Sequence, residues 1–561
     1  MVKGKQVSGG ILMPSIDVNL QDLQMLVGKK FSVEQLEELL LSVKGELDGF
    51  EKETQTLKVD VKDTNRPDLW STEGIARQLK SYLGIKKGLQ NFKVKKSSIT
   101  LNVMPSVKKV RPLIAAAIVR NVKITEELLV QLIQLQEKVA MGYGKKREQA
   151  AIGLYDLSKI KPPITYLGVN PKKTKFIPLE FSNELFLDEI LELHPKGQAF
   201  GHLIKDSKVF PLVIDSKKNV LSMPPIINSN NSGKVLPGTK VDLFVEVTGF
   251  KREFVDTVLQ VMVAALSDRG GRIESVKIVD GNKSFYTPNF TPKKISLTLK
   301  EINKVSGLNL NKSETLKLCL KAGFKASFTG EKLTVFYPAF RQDVLHAVDI
   351  IEDLIIASDY NKIEPVIPKI PTIGKELPLQ HYLQKVRLGC VGLGLQEILL
   401  FNLTSKELQA KKMLLKDDSF VEISNPVSIN YNVFRKSLIP SLLEFLSKNK
   451  HHSLPQNIFE IGKGHFIKSS KDNKVEEKTF LTILLTNTVI SFNDIKSVFQ
   501  SLAENLDWKF NLTSGKHVSF IEGRVAEIKI GNKKGILGEI HPNVLENFSL
   551  DTPVACLEIE L

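Results

Sequence analysis

The residues whose spacing best suits chemistry form an acidic segment between positions 341 and 356. Asp349, Glu352 and Asp353 recur about one turn apart on a predicted helix, so their carboxylates share one face and an apolar stripe covers the other. Asp343 lies close to the start of that helix. Clustered carboxylate oxygens suit Mg²⁺, which usually keeps several waters. A solvated acidic helix face explains the same spacing, so both interpretations stay open.

A second polar segment, 63–68, reads Asp-Thr-Asn-Arg-Pro-Asp. A turn followed by a helix cap accounts for it, with Pro67 at an early helical position. The functional alternative places Arg66 on a phosphate or on a partner's carboxylate. The residue types alone favour neither a ligand nor a catalytic step here.

Complete catalytic motifs are absent from the sequence. It contains no P-loop, Rossmann glycine pattern, HExxH, CxxC or GxSxG in a supporting context, and its nine histidines are dispersed. An enzyme of this sequence therefore needs a partner subunit, or a site made from shape and backbone groups.

Several domains must position these residues, because 561 residues exceed one hydrophobic core. The mixed order of predicted helices and strands indicates an α+β multidomain fold. Its predicted divisions are 1–95, 96–289, 290–362, a proline-rich linker at 363–378, and 379–561.

Local signals predict several elements within these domains. Ser32 and Gln35 form a capping box, and a helix runs from Ser71 to Tyr82. The lysine-rich stretch 86–98 is interpreted as a linker. Two helices followed by a hairpin near residue 330 resemble a winged helix, an outline that many protein-binding modules share.

Composition indicates a large globular protein of the cytoplasm. Hydrophobic residues make up 42% and charged residues 25%, which excludes wholesale disorder. The three cysteines lie far apart, and we expect neither a signal peptide nor a membrane span. The net charge of +16 favours a polyanion such as nucleic acid, although a lysine-rich genome would give the same total.

Several motifs, in order along nearly the whole chain, resemble those of phenylalanyl-tRNA synthetase beta subunits. They are Asp63–Leu69 with Glu73–Arg77, Ser222–Asn228, Val245–Gly249, Tyr337–Val344 with Asp349–Asp353, and Gly538–Pro542. The chain starts without the extra tRNA-binding domain of the usual bacterial form, so it is similar to the archaeal/eukaryotic type.

The resemblance implies a ligase complex of two alpha and two beta subunits, which attaches phenylalanine to tRNA(Phe) with ATP. The alpha subunit would carry the adenylating site. The four domains would be an N-terminal α/β domain, a B3/B4-type editing domain, a winged-helix-like B5 domain and a degenerate class II synthetase-like module. Phe434–Ser437 lacks the acid of the class II motif 2. Leu438–Leu443 would pack against the alpha subunit or form ordinary core.

The resemblance also implies that residues 96–289 hydrolyse tyrosine wrongly attached to tRNA(Phe). An apolar pocket rejects an added hydroxyl only about a hundredfold, so a second site that binds this hydroxyl is needed. By the match to the family, Glu246 would recognise the tyrosyl hydroxyl and Arg147 would hold the tRNA end. Thr248, Ser222 and Asn228 would line the pocket. An outward-facing strand position is the alternative for Glu246.

By the same resemblance, Asp343, Asp349, Glu352 and Asp353 would form a Mg²⁺ site shared with the alpha subunit. Asp353 replaces the more usual glutamate. Two other functions remain open at this point: a free-standing tRNA-binding or trans-editing hydrolase without a ligase role, and a structural or DNA-binding protein. A stable alpha partner is expected only for the ligase subunit.

Overall fold

The computed structural model describes residues 15–238, 240–370, 372–416 and 419–561. One compact unit ends at Val366 and a second begins at Ile367, so the division falls within the predicted proline-rich linker. Residues 1–14, with which the predicted N-terminal domain begins, and Pro371 of the linker lie outside the described residues. In the described parts of the chain, no helix is long and apolar enough to cross a membrane.

The N-terminal part of the first unit is a small antiparallel sheet with three helices beside it. In sheet order its strands are Ser15–Asn19, Thr56–Val61 and Gly45–Glu51, and its helices are Leu20–Val27, Val33–Leu41 and Thr72–Tyr82. The predicted capping box is confirmed, because Ser32 N–H donates to Gln35 Oε1 and Gln35 N–H donates to Ser32 Oγ. The predicted helix at Ser71 is confirmed too, with Ser71 as its cap.

A large mixed sheet follows and carries most of the candidate pocket. Within the described residues its path is Ile227–Asn228, Val220–Met223, Phe210–Ile214, Ile164–Val169, Val94–Val103, Arg272–Asp280, Leu113–Lys123, Lys240–Gly249 and Ala150–Asp156, with Lys283–Thr287 beside Arg272–Asp280. Most neighbours are antiparallel, but Val94–Val103 is parallel to both of its neighbours in the sheet. The interpretation of residues 86–98 as a linker is wrong in part, since the strand already begins at Val94.

Helices cover this sheet and join it to the N-terminal part. They are Glu126–Met141, Leu187–Leu193, Pro195–Phe200 and Arg252–Asp268, and Lys175–Phe176 pairs with Leu185–Phe186 as a small separate ribbon. One continuous core contains Val59 and Leu79 of the N-terminal part together with Val119 of the sheet and Val258 of the last helix. The two parts therefore fold around shared apolar side chains.

The third segment has the predicted helix pair and hairpin. Its antiparallel sheet has the order Lys293–Thr298, Lys332–Tyr337, Lys325–Thr329, and its helices are Leu299–Ser306, Lys312–Lys321 and Ala347–Ser358. Thr298 and Asn311 form capping boxes at the first two helices. Gly307 adopts the left-handed conformation that ends the first helix, at a φ of 70°.

The second unit is built on its own mixed sheet. Among the described residues its path is Gln396–Glu397, Gln456–Ile467, Val475–Thr486, Val554–Glu560, Lys533–Ile540, Phe520–Ile530 and Phe510–Ser514. The unit also contains helices Pro378–Gly392, Ile439–Lys448, Phe492–Asn505 and Pro542–Asn547, a π-helical turn at Glu407–Lys411, a 3-10 turn at Ile429–Tyr431, and the strand pair Leu403–Thr404 and Val433–Phe434. Leu438, Leu442 and Leu443 are fully buried in this unit's core, which is the ordinary packing alternative for that segment. The expectation of a mixed multidomain fold of helices and strands is confirmed.

Candidate functional site

A cavity of about 490 Å³ lies beside the strand Lys240–Gly249 and contains most of the predicted pocket residues. Arg147, Ser222, Asn228 and Glu246 line it, whereas Thr248 does not. The other lining groups are mainly apolar; they include Ile133, Ile152, Leu154, Ile226 and Val235. Among the described residues that line the cavity there is no histidine or cysteine, and the one hydroxyl side chain is that of Ser222.

Glu246 is the charged group most deeply enclosed by this cavity. Its strand pairs with Ala150–Asp156, which sets Glu246 opposite Gly153. Glu246 Oε1 accepts a hydrogen bond from the Tyr155 hydroxyl at 3.0 Å and from Ser222 Oγ at 3.5 Å. Burial raises the pKa of Glu246 to about 7, although both hydrogen bonds and the charge of Arg111 oppose this increase. The alternative of an outward-facing Glu246 is wrong, because the side chain is buried.

Ser222 and Asn228 approach this network from a hairpin, Ser222 at the Glu246 carboxylate and Asn228 at the Tyr155 hydroxyl. The two residues are cross-strand partners, so the intervening turn returns the chain directly onto the cavity wall. Asn228 Oδ1 lies 3.4 Å from the Tyr155 hydroxyl. The predicted association of Ser222, Asn228 and Glu246 thus appears as one small network of hydroxyl, amide and carboxylate groups.

Thr248 accepts hydrogen bonds from Arg111 instead of lining the cavity. Its Oγ1 accepts from Arg111 Nε at 2.9 Å, and its carbonyl accepts from Arg111 Nη2 at 2.6 Å. The same guanidinium donates to the carbonyls of Arg147 and Glu148. Burial lowers the pKa of Arg111 to about 10. Thr248 therefore anchors a buried arginine at the end of the pocket strand, and the expectation that it lines the cavity is not met.

A left-handed backbone segment presents Arg147 to the cavity. Lys145, Lys146 and Arg147 have φ values of 51°, 53° and 68°. Left-handed backbone costs roughly 1–2 kcal/mol for each residue with a side chain. Three hydrogen bonds compensate, since the N–H groups of these residues donate to carbonyls of Gly142, Met141 and Ala140. Backbone held against strain in this way is found preferentially at functional sites.

The Arg147 guanidinium is itself firmly held. It donates to the Ile226 carbonyl at 2.9 Å and to Glu137 Oε1 at 3.1 Å, and it stacks on the Phe200 ring at 4.3 Å from the ring centre. Glu137 also accepts from Lys196 at 2.9 Å. The pKa of Glu137 is lowered, because its two cations outweigh the opposing effect of burial. Arg147 and Lys196 therefore place cationic groups on the wall of the cavity.

Sequence reasoning missed Tyr155, Gly153, Glu137 and Lys196. The first two lie on one strand two positions apart, so they face the same side of the sheet. No motif that carries the family resemblance falls on that strand, Ala150–Asp156. Glu137 lies on the helix Glu126–Met141, and nothing in the helix pattern distinguishes it from other polar positions.

The acidic segment forms a second polar cluster, in which arginine side chains pair with the carboxylates. Arg341 donates to Asp343 at 2.8 and 2.6 Å and to Asp353 at 2.6 Å, and all three side chains are buried. Arg66 is bidentate with Asp68 at 2.9 Å and lies 4.0 Å from Asp343. Burial opposes ionisation of Asp343, but the charge of Arg341 outweighs it and lowers the pKa of Asp343 to about 2.

The remaining two predicted metal ligands have other partners. Asp349 caps its helix, where its Oδ2 accepts from the N–H groups of Leu345 and His346. Glu352 is half exposed and pairs with Lys44 at 3.1 Å. In the part of the chain that the structure describes, no group of three or more histidine, cysteine, aspartate or glutamate side chains is placed to hold a metal ion. This arrangement does not fit a resident Mg²⁺.

Comparison with known proteins identifies the family. Family models match at residues 13–85 (Phe-tRNA synthetase beta subunit B1 domain), 295–360 (tRNA synthetase B5 domain) and 363–561 (phenylalanyl tRNA synthetase beta chain CLM domain). The phenylalanine–tRNA ligase beta subunit of Pyrococcus horikoshii is 45% identical, over 98% of this chain and 99% of its own. The chain belongs to the phenylalanine–tRNA ligase beta subunit family.

Further relatives agree with this membership. The beta subunit of Pyrococcus abyssi is also 45% identical over 98% of this chain and 99% of its own. The crystal structure of an N-terminal fragment of the Pyrococcus horikoshii beta subunit superposes with a TM-score of 0.61 at 48% identity. That fragment covers 62% of this chain and is itself covered completely. The resemblance inferred from the sequence motifs is thereby confirmed, and the third segment is matched by the B5 model.

Proposed function

We propose that this chain acts as the beta subunit of a cytoplasmic phenylalanine–tRNA ligase, in a complex of two alpha and two beta subunits. The complex would charge tRNA(Phe) with phenylalanine at the expense of ATP. The observation that carries this proposal is the family relationship, which extends over 98% of the chain and 99% of the relative. A free-standing hydrolase would not need residues 363–561, yet these match a beta-chain family model.

The proposed domains keep the bounds predicted from the sequence: 1–95, 96–289 for editing, 290–362, the linker 363–378, and a degenerate class II-like module at 379–561. In that module the polar side chains on one face of the sheet form ion pairs and hydrogen bonds with one another. Arg435 and Glu460 form a fully buried ion pair at 2.6 Å. On the adjoining strands, Thr482 donates to Glu558 at 2.8 Å. Such a face leaves these groups unavailable to a nucleotide, which supports adenylation in the alpha subunit.

Residues 96–289 would hydrolyse Tyr-tRNA(Phe) in the cavity beside Glu246. The apolar walls suit an aromatic side chain, and a buried carboxylate that accepts from a hydroxyl distinguishes tyrosine from phenylalanine. Hydrolysis would rely on a positioned water and backbone donors, because positioning and preorganised hydrogen-bond donors supply much of the acceleration of acyl transfer. Arg147 and Lys196, both on the cavity wall, would lie near the tRNA end.

The Mg²⁺ site at Asp343, Asp349, Glu352 and Asp353, shared with the alpha subunit, remains a prediction of the family resemblance. The arginine-bound carboxylates argue against a resident ion in this arrangement. No step of the proposed editing reaction involves a metal. Mg²⁺ that accompanies ATP in the alpha subunit is a separate matter from these four residues.

One experiment tests the proposed function. The chain is co-expressed with its candidate alpha chain, the mass of the complex is measured, and charging of tRNA(Phe) is assayed for each chain and for the mixture. We expect charging by the complex only. Charging by the purified chain without alpha would contradict the proposal.

The editing role is tested with the same complex. Preformed Tyr-tRNA(Phe) is hydrolysed by the wild-type complex and at least tenfold more slowly by Glu246→Ala or Asn228→Ala. Glu253→Gln is the control, because it changes an exposed carboxylate outside the cavity. Equal hydrolysis by all variants would exclude Glu246 and Asn228 from the editing pocket.

A further inference from the structure

The two oxygens of the Glu246 carboxylate have different surroundings. Oε1 accepts from Tyr155 at 3.0 Å and from Ser222 at 3.5 Å. Oε2 is buried and has no hydrogen-bond partner among the described residues. A buried polar atom without a partner is uncommon and costs free energy, so its presence calls for an explanation. One oxygen of this carboxylate is thus engaged within the protein and the other is left free.

Tyr155 is held where its hydroxyl must meet Oε1. Its ring is fully buried in the sheet core and lies outside the set of residues that line the cavity. The hydroxyl lies over Gly153, where an added Cβ would stand 2.1 Å from Tyr155 Oη and 2.5 Å from Glu246 Oε1. Glycine at 153 therefore makes room for this contact. Asn228 Oδ1, at 3.4 Å, borders the hydroxyl on another side.

We propose that Tyr155 is a positioning residue, whose hydroxyl occupies Glu246 Oε1 and reserves Oε2 as the acceptor for the phenolic hydroxyl of a tyrosyl ligand. The inference rests on the proposed editing function and extends it to a residue behind the cavity wall. A tyrosyl group would satisfy Oε2, whereas a phenylalanyl group would leave it unpaired. The penalty for a buried unpaired acceptor corresponds to a preference on the order of ten- to a hundredfold.

Removal of the Tyr155 hydroxyl would loosen this selection. In Tyr155→Phe, Oε1 keeps only the longer contact with Ser222 at 3.5 Å, so the carboxylate is held less firmly against rotation about its terminal bond. A tyrosyl hydroxyl then meets a carboxylate that is no longer oriented toward it. The preference for tyrosyl over phenylalanyl should fall about tenfold, while the apolar contacts of both rings persist. A merely structural role for Tyr155 would weaken both ligands equally.

Tyr166→Phe is the matched control. Tyr166 is also fully buried in the same sheet, but its hydroxyl donates to the Arg111 carbonyl at 2.9 Å and makes no hydrogen bond to Glu246. Both substitutions remove one buried hydroxyl and keep the ring. Gly153→Ala is a second test variant, because the added methyl crowds both the Tyr155 hydroxyl and Glu246 Oε1 and so breaks their contact without removing either group.

The test measures equilibrium binding of two non-hydrolysable probes to the full-length chain in complex with alpha. The probes are the 3′-amino-3′-deoxyadenosine amides of L-tyrosine and L-phenylalanine. We expect the wild type and Tyr166→Phe to prefer the tyrosyl probe by the same factor within about twofold. In Tyr155→Phe and Gly153→Ala that factor should fall at least fivefold. The inference is overturned by an unchanged preference in Tyr155→Phe, by an equal loss in Tyr166→Phe, or by a wild type without preference.

Hydrolysis of Tyr-tRNA(Phe), measured alongside, separates this inference from the editing proposal. A wild type that binds the tyrosyl probe selectively but hydrolyses nothing contradicts editing and leaves the role of Tyr155 intact. A wild type that hydrolyses Tyr-tRNA(Phe), with Tyr155→Phe equally selective, supports editing and overturns the role of Tyr155.

Discussion

The Arg341 guanidinium donates to the Asp353 carboxylate at 2.6 Å, and both side chains are buried. This contact joins the segment before the helix Ala347–Ser358 to the middle of that helix. The helical spacing of the acidic segment suggests metal ligands, but Asp353 instead neutralises an arginine of its own chain. Glu352, its neighbour in sequence, is half exposed instead.

Substitutions at these neighbours should therefore differ in cost. Asp353→Ala leaves part of a buried guanidinium charge unpaired, and breaking such pairs costs about 3 kcal/mol or more in the free energy of unfolding. Glu352→Gln loses a pair with Lys44 on a half-exposed side chain, which should cost less than about 1 kcal/mol. Urea denaturation of the chain measures both values. Equal costs would contradict the distinction drawn between the two carboxylates.

Chelation of divalent metal should leave the stability of the chain unchanged. Arg341 already binds Asp343 and Asp353, so Mg²⁺ would have to displace a buried arginine from two carboxylates. Urea midpoints are compared with EDTA and with millimolar MgCl₂. A midpoint that rises with Mg²⁺ in the wild type, but not in Asp343→Asn, would show that the carboxylates bind the ion.

The titration of Glu246 should make the fold less stable as the pH rises from about 4.5 to 7. Burial raises the pKa of Glu246 from 4.5 to about 7, against the opposing charge of Arg111 and hydrogen bonds from Tyr155 and Ser222. Between these values the folded chain retains a proton that the unfolded chain releases, so the free energy of unfolding falls with pH. The contribution is about 3 kcal/mol.

The difference between wild type and Glu246→Gln isolates this effect, because glutamine does not titrate. Urea denaturation at several pH values should show the wild type losing stability relative to Glu246→Gln across this range. Above pH 7 the difference should become constant. Parallel pH profiles for the two proteins would mean that Glu246 has the same pKa in the folded and unfolded chain.

Thr248→Val should affect stability more than ligand binding. The substitution removes the acceptor of Arg111 Nε, and an unsatisfied buried donor costs about 1–3 kcal/mol. Binding of the tyrosyl probe should stay within about twofold of wild type, since Thr248 does not line the cavity. Ser222→Ala, which changes a residue of the cavity wall, should weaken binding of the tyrosyl probe more than it lowers the free energy of unfolding. If probe binding falls tenfold in a folded Thr248→Val protein, Thr248 contributes to the binding pocket.

The sequence predicts those elements whose signals are local. The capping box of Ser32 and Gln35 and the helix that begins at Ser71 depend on neighbours along the chain, and the structure confirms each. The sequence predicts a linker for the start of the strand Val94–Val103, because its first residues read Val-Lys-Lys-Ser-Ser and lack an alternating apolar pattern. Its place in the sheet is decided by the distant strand Arg272–Asp280.

Some residues of the candidate site can be predicted from the sequence, and others are recognised only from the fold. Motif resemblance led to Glu246, Ser222 and Asn228, which the fold brings to one cavity. Tyr155 could not be found by its local sequence, since its significance arises from strand register with Glu246's strand. Helical spacing alone likewise suggests a metal site at the acidic segment. The positive charge beside these carboxylates comes from Arg341, whose position depends on the fold.

The buried pair of Arg435 and Glu460 provides a last test, which concerns the second unit. Nη2 and Nη1 of Arg435 donate to the two oxygens of Glu460 at 2.6 and 3.1 Å, and neither side chain is exposed. Arg435→Met leaves Glu460 as an unpaired buried charge, which should cost about 3–5 kcal/mol. The double variant Arg435→Met/Glu460→Leu removes both charges and should be more stable than the single variant. The four proteins form a double-mutant cycle measured by urea denaturation.

Charging of tRNA(Phe) then shows whether this pair has only a structural role. In the complex with alpha, the folded double variant should charge at the wild-type rate within about twofold, because the proposed function places adenylation in the alpha subunit. Glu444→Gln, a substitution on the surface of the same unit, is the control for handling of the complex. If the double variant is as stable as wild type but charges tenfold more slowly, the sheet face of Glu460, Thr482 and Glu558 takes part in the reaction, and its interpretation as an internally satisfied face is wrong.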